Sequence, residues 1–312
     1  MFESIEIERF RGIKHSRIDG LRQINLFFGK NNCGKSSLLD AVFLISGLSN
    51  PKLPININLL RSYRKFELPD LALDFYSLDT TGPISIKASN KETRELQISL
   101  FESASGRIDF HGSDAEYEQR VKLDSRYKEN IVCRYLTPQS DFYTSLSGLI
   151  DITKNKDEKF ILDALRLIEP KINDIVLSGN EVLVDVGQNK RIPINMMGDG
   201  VRKILSVLTT IYECRDGVVL IDEISNGFHY SVMKDLWRTV LLASKKNNAQ
   251  IYATTHDIDS IKGLRDAVRS SDDGNNSVAC FKLQRTSDDE LKSYYYAIDS
   301  IDYALKQEIE IR

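Results

Sequence analysis

One 21-residue segment limits the fold of this 312-residue chain more than any other, and it reads NLFFGKNNCGKSSLLDAVFLI. Four of its residues match the pattern GxxxxGK[ST]: Gly29, Gly34, Lys35 and Ser36. The apolar run Ile24–Phe28 before the loop predicts a buried strand, and the apolar residues after it have helical spacing. A strand, a glycine loop and a helix in this order predict a phosphate-binding loop, also called Walker A, in an α/β fold.

The chemistry of such a loop follows from its residue types. Glycines allow backbone N–H groups to curl around phosphate oxygens, and the start of the helix adds partial positive charge. Lys35 is expected to reach the β- and γ-phosphates, and the hydroxyl of Ser36 is expected to bind Mg²⁺. A glycine-rich turn before an ordinary helix is the alternative, and the flanking strand and helix make it the weaker interpretation.

The second half of the chain contains acidic residues suited to nucleotide hydrolysis. GVVLIDE predicts a buried strand that ends in two acids, so that Asp222 would lie beside the metal and Glu223 would activate a water molecule (Walker B). AQIYATTH predicts another buried strand, which ends at Thr254, Thr255 and His256. Ligands bind at the carboxyl ends of strands in open α/β sheets, so we expect His256 to contact the γ-phosphate.

A second glycine turn precedes the acidic strand, in MMGDGVRKILSVLTTIYE. Gly198 and Gly200 open a predicted helix, and Arg202 and Lys203 lie in its first turn. One nucleotide does not need two phosphate cradles, whereas a dimer would use the second cradle on the nucleotide of its partner. A glycine cap on an ordinary core helix is the alternative.

Composition narrows the classes of protein that fit. There are 42 Lys and Arg against 45 Asp and Glu, which gives a net charge of −3 and excludes a uniformly basic nucleic-acid binder. The four cysteines lie far apart without CxxC spacing, which argues against a zinc site or a disulfide framework. No apolar run reaches the roughly 20 residues that span a bilayer. We therefore expect a cytoplasmic protein that does not enter a membrane.

Two further segments carry expectations. Residues 50–60 are rich in Pro and Asn and predict a surface loop. Arg61, Arg64 and Lys65 follow it and form the local basic stretch at which DNA contact is most plausible, with a solvated face as the more ordinary interpretation. Any DNA binding there is expected to be weak and steeply salt-dependent.

With these motifs in order, the chain resembles the ABC-type ATPase heads of the SMC, RecF and OLD group, and most closely the small stand-alone ATPases of bacterial antiphage systems. The resemblance covers nearly the whole chain. It rests on five segments: FRGIK, GKNNCGKSS, MGDGVRK, IDEISNGFH and ATTHD.

The resemblance implies ATP and Mg²⁺ as ligands and assigns residues to them. Ser36 and Asp222 would bind the metal, Glu223 would activate water, and Lys35 and His256 would contact the reacting phosphates. Further nucleotide contacts would come from the phosphate loop, the N-terminal segment, a Q-loop and the signature and D-loop segments: Gly29, Asn31, Asn32, Cys33, Gly34, Ser37, Arg11, Gln139, Gly198, Gly200, Arg202 and Asn226. Gln139 is placed by position alone, and Gly227 would join Asn226 in dimer contacts.

The fold implied is an α/β P-loop fold of ABC/SMC-head type. It would have a mixed central sheet with helices on both faces, an antiparallel β lobe and a small helical lobe. We expect a single domain over residues 1–312, in which 1–136 and 204–312 form the nucleotide-binding lobe and 137–203 form an inserted lobe with the signature motif.

Two departures from the group matter. Gly198 stands where the ABC signature normally has a serine, so contact with the partner's nucleotide would rely on backbone N–H groups and on Arg202 or Lys203. The chain after His256 is also too short for the Toprim nuclease domain that OLD nucleases carry.

Three functions remain open from the sequence. The first is an ATP-hydrolysing switch that forms a homodimer or higher oligomer and controls a separately encoded effector, a nuclease or toxin, in antiphage defence. The second is a RecF-like repair ATPase that binds duplex DNA. The third is a scaffold that binds nucleotide without turnover, and Glu223 argues against it because a pure binder does not need that carboxylate.

Overall fold

The computed structural model describes most of the chain. The described residues are 1–50, 52–60, 68–90, 93–101, 107–114, 117–121, 129–138, 145–271 and 274–306. Two sequence-based expectations lie outside them: Gln139 as the Q-loop residue, and the basic stretch of Arg61, Arg64 and Lys65.

The strands, numbered along the chain, are β1 (Ser4–Phe10), β2 (Ile13–Asp19), β3 (Ile24–Phe28), β4 (Ile84–Ser89), β5 (Thr93–Phe101), β6 (Arg107–Asp114), β7 (Tyr117–Val121), β8 (Cys133–Leu136), β9 (Asp174–Ser178), β10 (Glu181–Asp185), β11 (Ile192–Pro193), β12 (Val218–Ile221), β13 (Gln250–Thr255), β14 (Val278–Arg285) and β15 (Leu291–Tyr296). The α-helices are α1 (Lys35–Ser46), α2 (Leu53–Leu59), α3 (Leu146–Lys154), α4 (Glu158–Arg166), α5 (Asp199–Glu213), α6 (Met233–Asn247), α7 (Ile258–Arg269), α8 (Gly274–Ser277) and α9 (Ile298–Lys306).

The central sheet has the strand order β15-β14-β3-β13-β12-β8 among the described residues. All neighbouring pairs are parallel except β14 with β15, which is antiparallel. Every residue of β3, β12 and β13 is buried, as expected for parallel strands covered on both faces. The mixed central sheet expected from the sequence is therefore present.

Alternation along β3 shows how the two faces are covered. Ile24, Leu26 and Phe28 pack in one apolar cluster with α5, α6 and α7. Phe27, which points to the opposite face, packs in a second cluster with α1 and the N-terminal strands. Helices thus cover both faces, and the phosphate loop lies at the edge where β3 leaves the sheet.

A second sheet is antiparallel throughout, with the order β2-β1-β4-β5-β6-β7. It packs against α1 through alternating apolar residues such as Ile5 and Ile7 of β1. This sheet is the expected antiparallel β lobe. A small sheet with the order β11-β10-β9 lies beside the helices α3 and α4. The lobe boundaries at 136/137 and 203/204 remain a prediction.

The prediction of a surface loop over residues 50–60 was wrong, because α2 occupies most of this segment. Pro54 lies in the first turn of α2, where its missing N–H costs no intrahelical hydrogen bond. Leu53, Pro54 and Ile57 are buried.

Among the described residues, every helix is too short or too polar to cross a bilayer.

Helix α3 packs against α5 at unusually close range because of Gly148. A Cβ atom built at this position would lie 1.9 Å from the carbonyl oxygen of Thr209. The absence of a side chain therefore sets the distance between the two helices.

We predict that Gly148→Ala lowers the free energy of unfolding by at least about 2 kcal/mol, because the added methyl group must push the two helices apart. Ile150→Ala is the control on the same helix, where Ile150 is 43% exposed and a change below about 0.5 kcal/mol is expected. Urea unfolding measures both variants. Equal midpoints for Gly148→Ala and wild type would contradict the close packing.

Candidate nucleotide-binding site

The phosphate loop connects β3 to α1 in a conformation that requires its two glycines. A Cβ atom at Gly29 would lie 2.5 Å from the carbonyl oxygen of Leu283, on the neighbouring β14. Gly34 caps α1 with φ 105°, a value that residues with a side chain rarely adopt. The glycine spacing read from the sequence therefore has a steric cause at both positions.

Lys35 is buried and folds back over the loop. Its Nζ donates hydrogen bonds to the carbonyl oxygens of Gly29 (2.9 Å) and Lys30 (3.2 Å), and it lies 4.0 Å from Oε1 of Glu223. The structure thus brings together the lysine of the phosphate loop and the second acid of β12, which are far apart in the sequence.

The two predicted acids lie directly after β12. Asp222 is buried, and its Oδ1 accepts a hydrogen bond of 2.6 Å from the hydroxyl of Thr254. Glu223 has φ 55°, in the left-handed region, and its N–H donates to the same hydroxyl at 2.9 Å. A non-glycine residue in that region is uncommon and typical of functional sites.

His256 reaches the side chain of Glu223. Its Nδ1 lies 2.7 Å from Oε2 of Glu223, and the imidazole is about half exposed. Because Oε1 of the same carboxylate faces Lys35, Glu223 is held between a lysine and a histidine. The predicted catalytic residues Lys35, Glu223 and His256 therefore lie together.

The two glycines of the second glycine turn have different surroundings. Gly198 caps α5, and a Cβ atom built there would meet no atom within 4 Å. Gly200 is buried, and its Cβ would lie 3.1 Å from the carbonyl oxygen of Gly227 and 3.0 Å from Ile168. Gly198 thus has open space beside it, whereas Gly200 packs α5 against the segment after Glu223.

The two cations of this turn are engaged within their own chain. Arg202 forms an ion pair with Asp199. Lys203 Nζ donates to the carbonyl oxygens of Glu223 and Asn226, each at 2.8 Å. Burial lowers the pKa of Lys203 to about 8, although the carboxylates of Glu223 and Asp222 oppose this shift. Lys203 therefore connects the start of α5 to the turn that follows β12 and contains Asp222 and Glu223, the acidic turn.

Arg11 lies in the turn between β1 and β2 and is largely buried. It forms ion pairs with Asp40 of α1 and Asp74, and it donates a hydrogen bond to Asn58. These contacts join the antiparallel sheet to α1. The nucleotide contact implied for Arg11 stays a prediction, as do those of the loop residues and of Asn226.

A cleft of about 330 Å³ lies beside the phosphate loop, between residues 30–33 and residues 282–285 at the end of β14. Cys33 lines it, and burial raises the pKa of its thiol. The sequence interpretation missed the contribution of β14. Polar residues at the end of a predicted strand, Lys282, Gln284 and Arg285, were the available signal.

Comparison with known proteins identifies the family. A model described as "AAA domain, putative AbiEii toxin, Type IV TA system" matches residues 24–261. The chain belongs to this AAA-domain family. The match runs from the strand before the phosphate loop to the helix after His256, and it confirms the prediction of an ATPase.

Two curated proteins resemble this AAA-domain chain. One, from Helicobacter pylori, is described as an ATP/GTP phosphatase. It is 24% identical over an alignment 362 residues long, which covers 95% of this chain and 98% of the relative. The other, an uncharacterized protein of Methanocaldococcus jannaschii, is 32% identical over 105 residues, which cover 31% of this chain and 46% of the relative.

Solved structures show the fold. An SMC head bound to the C-terminal winged-helix domain of ScpA has a TM-score of 0.58 at 13% identity, with 96% of this chain and 98% of the other covered. The SMC head of Thermotoga maritima has a TM-score of 0.53 at 12% identity, with 95% and 98% covered. The predicted ABC/SMC-head type of P-loop fold is therefore confirmed.

The partly buried amine of Lys203 predicts a pH-dependent contribution to stability. Its folded-state pKa of about 8 lies below the ordinary value of 10.5, so between these values the unfolded chain binds the extra proton. The free energy of unfolding of the wild type should therefore rise, relative to Lys203→Met, by about 3 kcal/mol as the pH increases from about 8 to about 10.5.

Urea unfolding at several pH values measures this difference. Lys234→Met, at an exposed position on α6, corrects for the loss of one lysine charge. A wild-type advantage over Lys203→Met that shrinks as the pH rises would contradict the burial of this amine.

Proposed function

We propose that this AAA-domain protein binds ATP at the phosphate loop and hydrolyses it with Glu223 as the residue that orients and deprotonates water. One observation carries the proposal: the carboxylate of Glu223 lies between Lys35 Nζ, at 4.0 Å, and His256 Nδ1, at 2.7 Å. A carboxylate placed beside the phosphate-binding lysine is suited to act on a water molecule next to the terminal phosphate. The name of the Helicobacter pylori relative, ATP/GTP phosphatase, supports the same chemistry.

The residues present also fit a magnesium ion. A serine hydroxyl, Ser36, and a buried carboxylate, Asp222, are oxygen donors of the kind that Mg²⁺ prefers. Bound Mg²⁺ would neutralise negative charge that develops on the phosphates. Thr254 occupies Oδ1 of Asp222, which leaves the second carboxylate oxygen for the cation.

In the proposed reaction, the side chains of this chain have separate tasks. Lys35 would leave its loop carbonyls to bind the β- and γ-phosphates, and this exchange releases Glu223 from the nearby ammonium group. Glu223 would then accept a proton from the attacking water. His256 would keep its contact with Glu223 and sense the terminal phosphate from the exposed side of the site.

We further propose that ATP pairs two copies of the chain head to head and that hydrolysis separates them. The open position of Gly198 at the start of α5 supports this, because a partner's phosphate can approach its backbone. The pairing would control a separately encoded effector in the cytoplasm. The family description, which refers to a type IV toxin–antitoxin system, supports a role in a system of that kind.

We predict that Lys35→Ala abolishes ATP binding, whereas Glu223→Gln binds ATP with near wild-type affinity and hydrolyses it at least about 100-fold more slowly. The lysine contacts phosphates in the ground state, and the glutamate is needed only for attack by water. Isothermal titration with ATP and a phosphate-release assay measure the two effects. Equal affinities of wild type and Lys35→Ala would exclude this loop as the nucleotide site.

We predict that Glu223→Gln forms a dimer in the presence of ATP and Mg²⁺, because hydrolysis can no longer separate the two copies. Gly198→Glu, added to Glu223→Gln, should abolish the dimer by repulsion from the partner's phosphates, whereas Gly198→Ser should preserve it. Gly200 is unsuitable for this test, since a side chain there meets the carbonyl of Gly227 in its own chain.

Light scattering with and without ATP gives the mass of each variant. A single mass for Glu223→Gln under both conditions would contradict the dimer. A dimer that tolerates Gly198→Glu would show that this turn is only a helix cap.

A further inference from the structure

We propose that Thr254 is a positioning residue. Its single hydroxyl group holds the metal-binding Asp222 and the water-activating Glu223 in fixed positions relative to each other. The proposal rests on the hydrolytic function proposed above. Thr254 is fully buried, next to last in β13, and directly adjacent to the turn that contains both acids.

Thr254 extends the contacts between β13 and the neighbouring segment beyond the end of β12. The parallel pairing of β12 with β13 runs as far as Ile221 opposite Ala253. Thr254 follows at the next position, where its Oγ1 contacts Asp222 and Glu223 and its carbonyl oxygen accepts a hydrogen bond from the N–H of Ile224 at 3.0 Å. One residue thus binds three consecutive residues of the acidic turn.

The direction of these hydrogen bonds is fixed by their chemistry. The backbone N–H of Glu223 can only donate, so the hydroxyl oxygen of Thr254 must accept from it. The single proton of the hydroxyl is then directed to Oδ1 of Asp222, at 2.6 Å. This bond fixes the orientation of the Asp222 carboxylate beside the site.

The same hydroxyl also helps to hold Glu223 in its uncommon backbone conformation. At φ 55°, the peptide before Glu223 is turned so that its N–H faces β13, and the side chain extends toward Lys35 and His256. Without an acceptor at Thr254, that partly buried N–H would lose its partner and the turn would be free to relax. The carboxylate would then leave the position between Lys35 and His256.

A β-branched residue suits this task. The methyl group of threonine restricts the side-chain torsion within a strand, so the hydroxyl is held toward the acidic turn. Thr255, the next residue, points to the other face, and its hydroxyl contacts Ser225 at 3.0 Å and accepts from the N–H of Asp257. Only Thr254, of the two, contacts the acids.

Steady-state kinetics of Thr254→Val test the proposal, because valine keeps the shape and removes the hydroxyl. We expect kcat to fall roughly 10- to 100-fold, as two hydrogen bonds to the acids are lost, while the KM for ATP changes less than about threefold. Thr254→Ser, which restores the hydroxyl, should return kcat to within about threefold of the wild type. The Mg²⁺ concentration for half-maximal rate should rise in Thr254→Val.

A matched control separates positioning from packing. Thr209 on α5 is also fully buried, and its hydroxyl accepts from the N–H of Ser145 and donates to the carbonyl of Leu205. Thr209→Val should lower the melting temperature as much as Thr254→Val does and leave kcat unchanged. Binding of ATP without Mg²⁺, measured by titration, should be the same in both variants and the wild type.

The outcomes that overturn the proposal are distinct. A Thr254→Val protein with kcat within about twofold of the wild type overturns it, and so does a Thr254→Ser protein as impaired as Thr254→Val. If Thr254→Val does not fold, the comparison of Thr254→Ala with Thr254→Ser decides in the same way. A wild-type protein that hydrolyses no nucleotide overturns the proposed function itself, and the role of Thr254 with it.

Discussion

The pairing of β13 between β3 and β12 is the constraint on which the site depends. Because all three strands are parallel, their carboxyl ends lie at one edge of the sheet. That edge brings together the phosphate loop, His256 and the two acids, which three distant parts of the chain supply. The register is equally important, since a shift of β13 by one residue would turn Thr254 away from the acids and present Thr255 instead.

Burial around this edge explains why a few polar groups dominate it. The strands that lead to the site are buried along their whole length, and the charged groups of the site appear only where the strands end. In such surroundings, hydrogen bonds and ion pairs are stronger than in water, and an unsatisfied polar group is costly. Lys35 binds its own loop carbonyls, and Asp222 binds Thr254, in agreement with that cost.

The first turn of α5 is a second unit that depends on the acidic turn. Gly200 allows the backbone of α5 to approach the carbonyl of Gly227, and Lys203 binds the carbonyls of Glu223 and Asn226. A movement of α5 would therefore act directly on the backbone that carries Glu223. Through this packing, the proposed partner contact at Gly198 would act on the hydrolytic residues of the chain that carries Gly198.

The sequence by itself determined the parts of this protein that depend on local order. The glycine spacing of residues 29–36, the apolar runs that became β3, β12 and β13, and the acids that follow β12 were all predicted, because apolar patterns and loop conformations depend on neighbouring residues. The tertiary structure alone decided which distant groups meet. Lys203 lies on the helix predicted to face a partner, yet it turns to Glu223 because α5 packs beside the acidic turn. Arg11 reaches Asp40 and Asp74, and Thr254 joins the two acids, through pairing and packing between segments far apart in the chain, which no local pattern records.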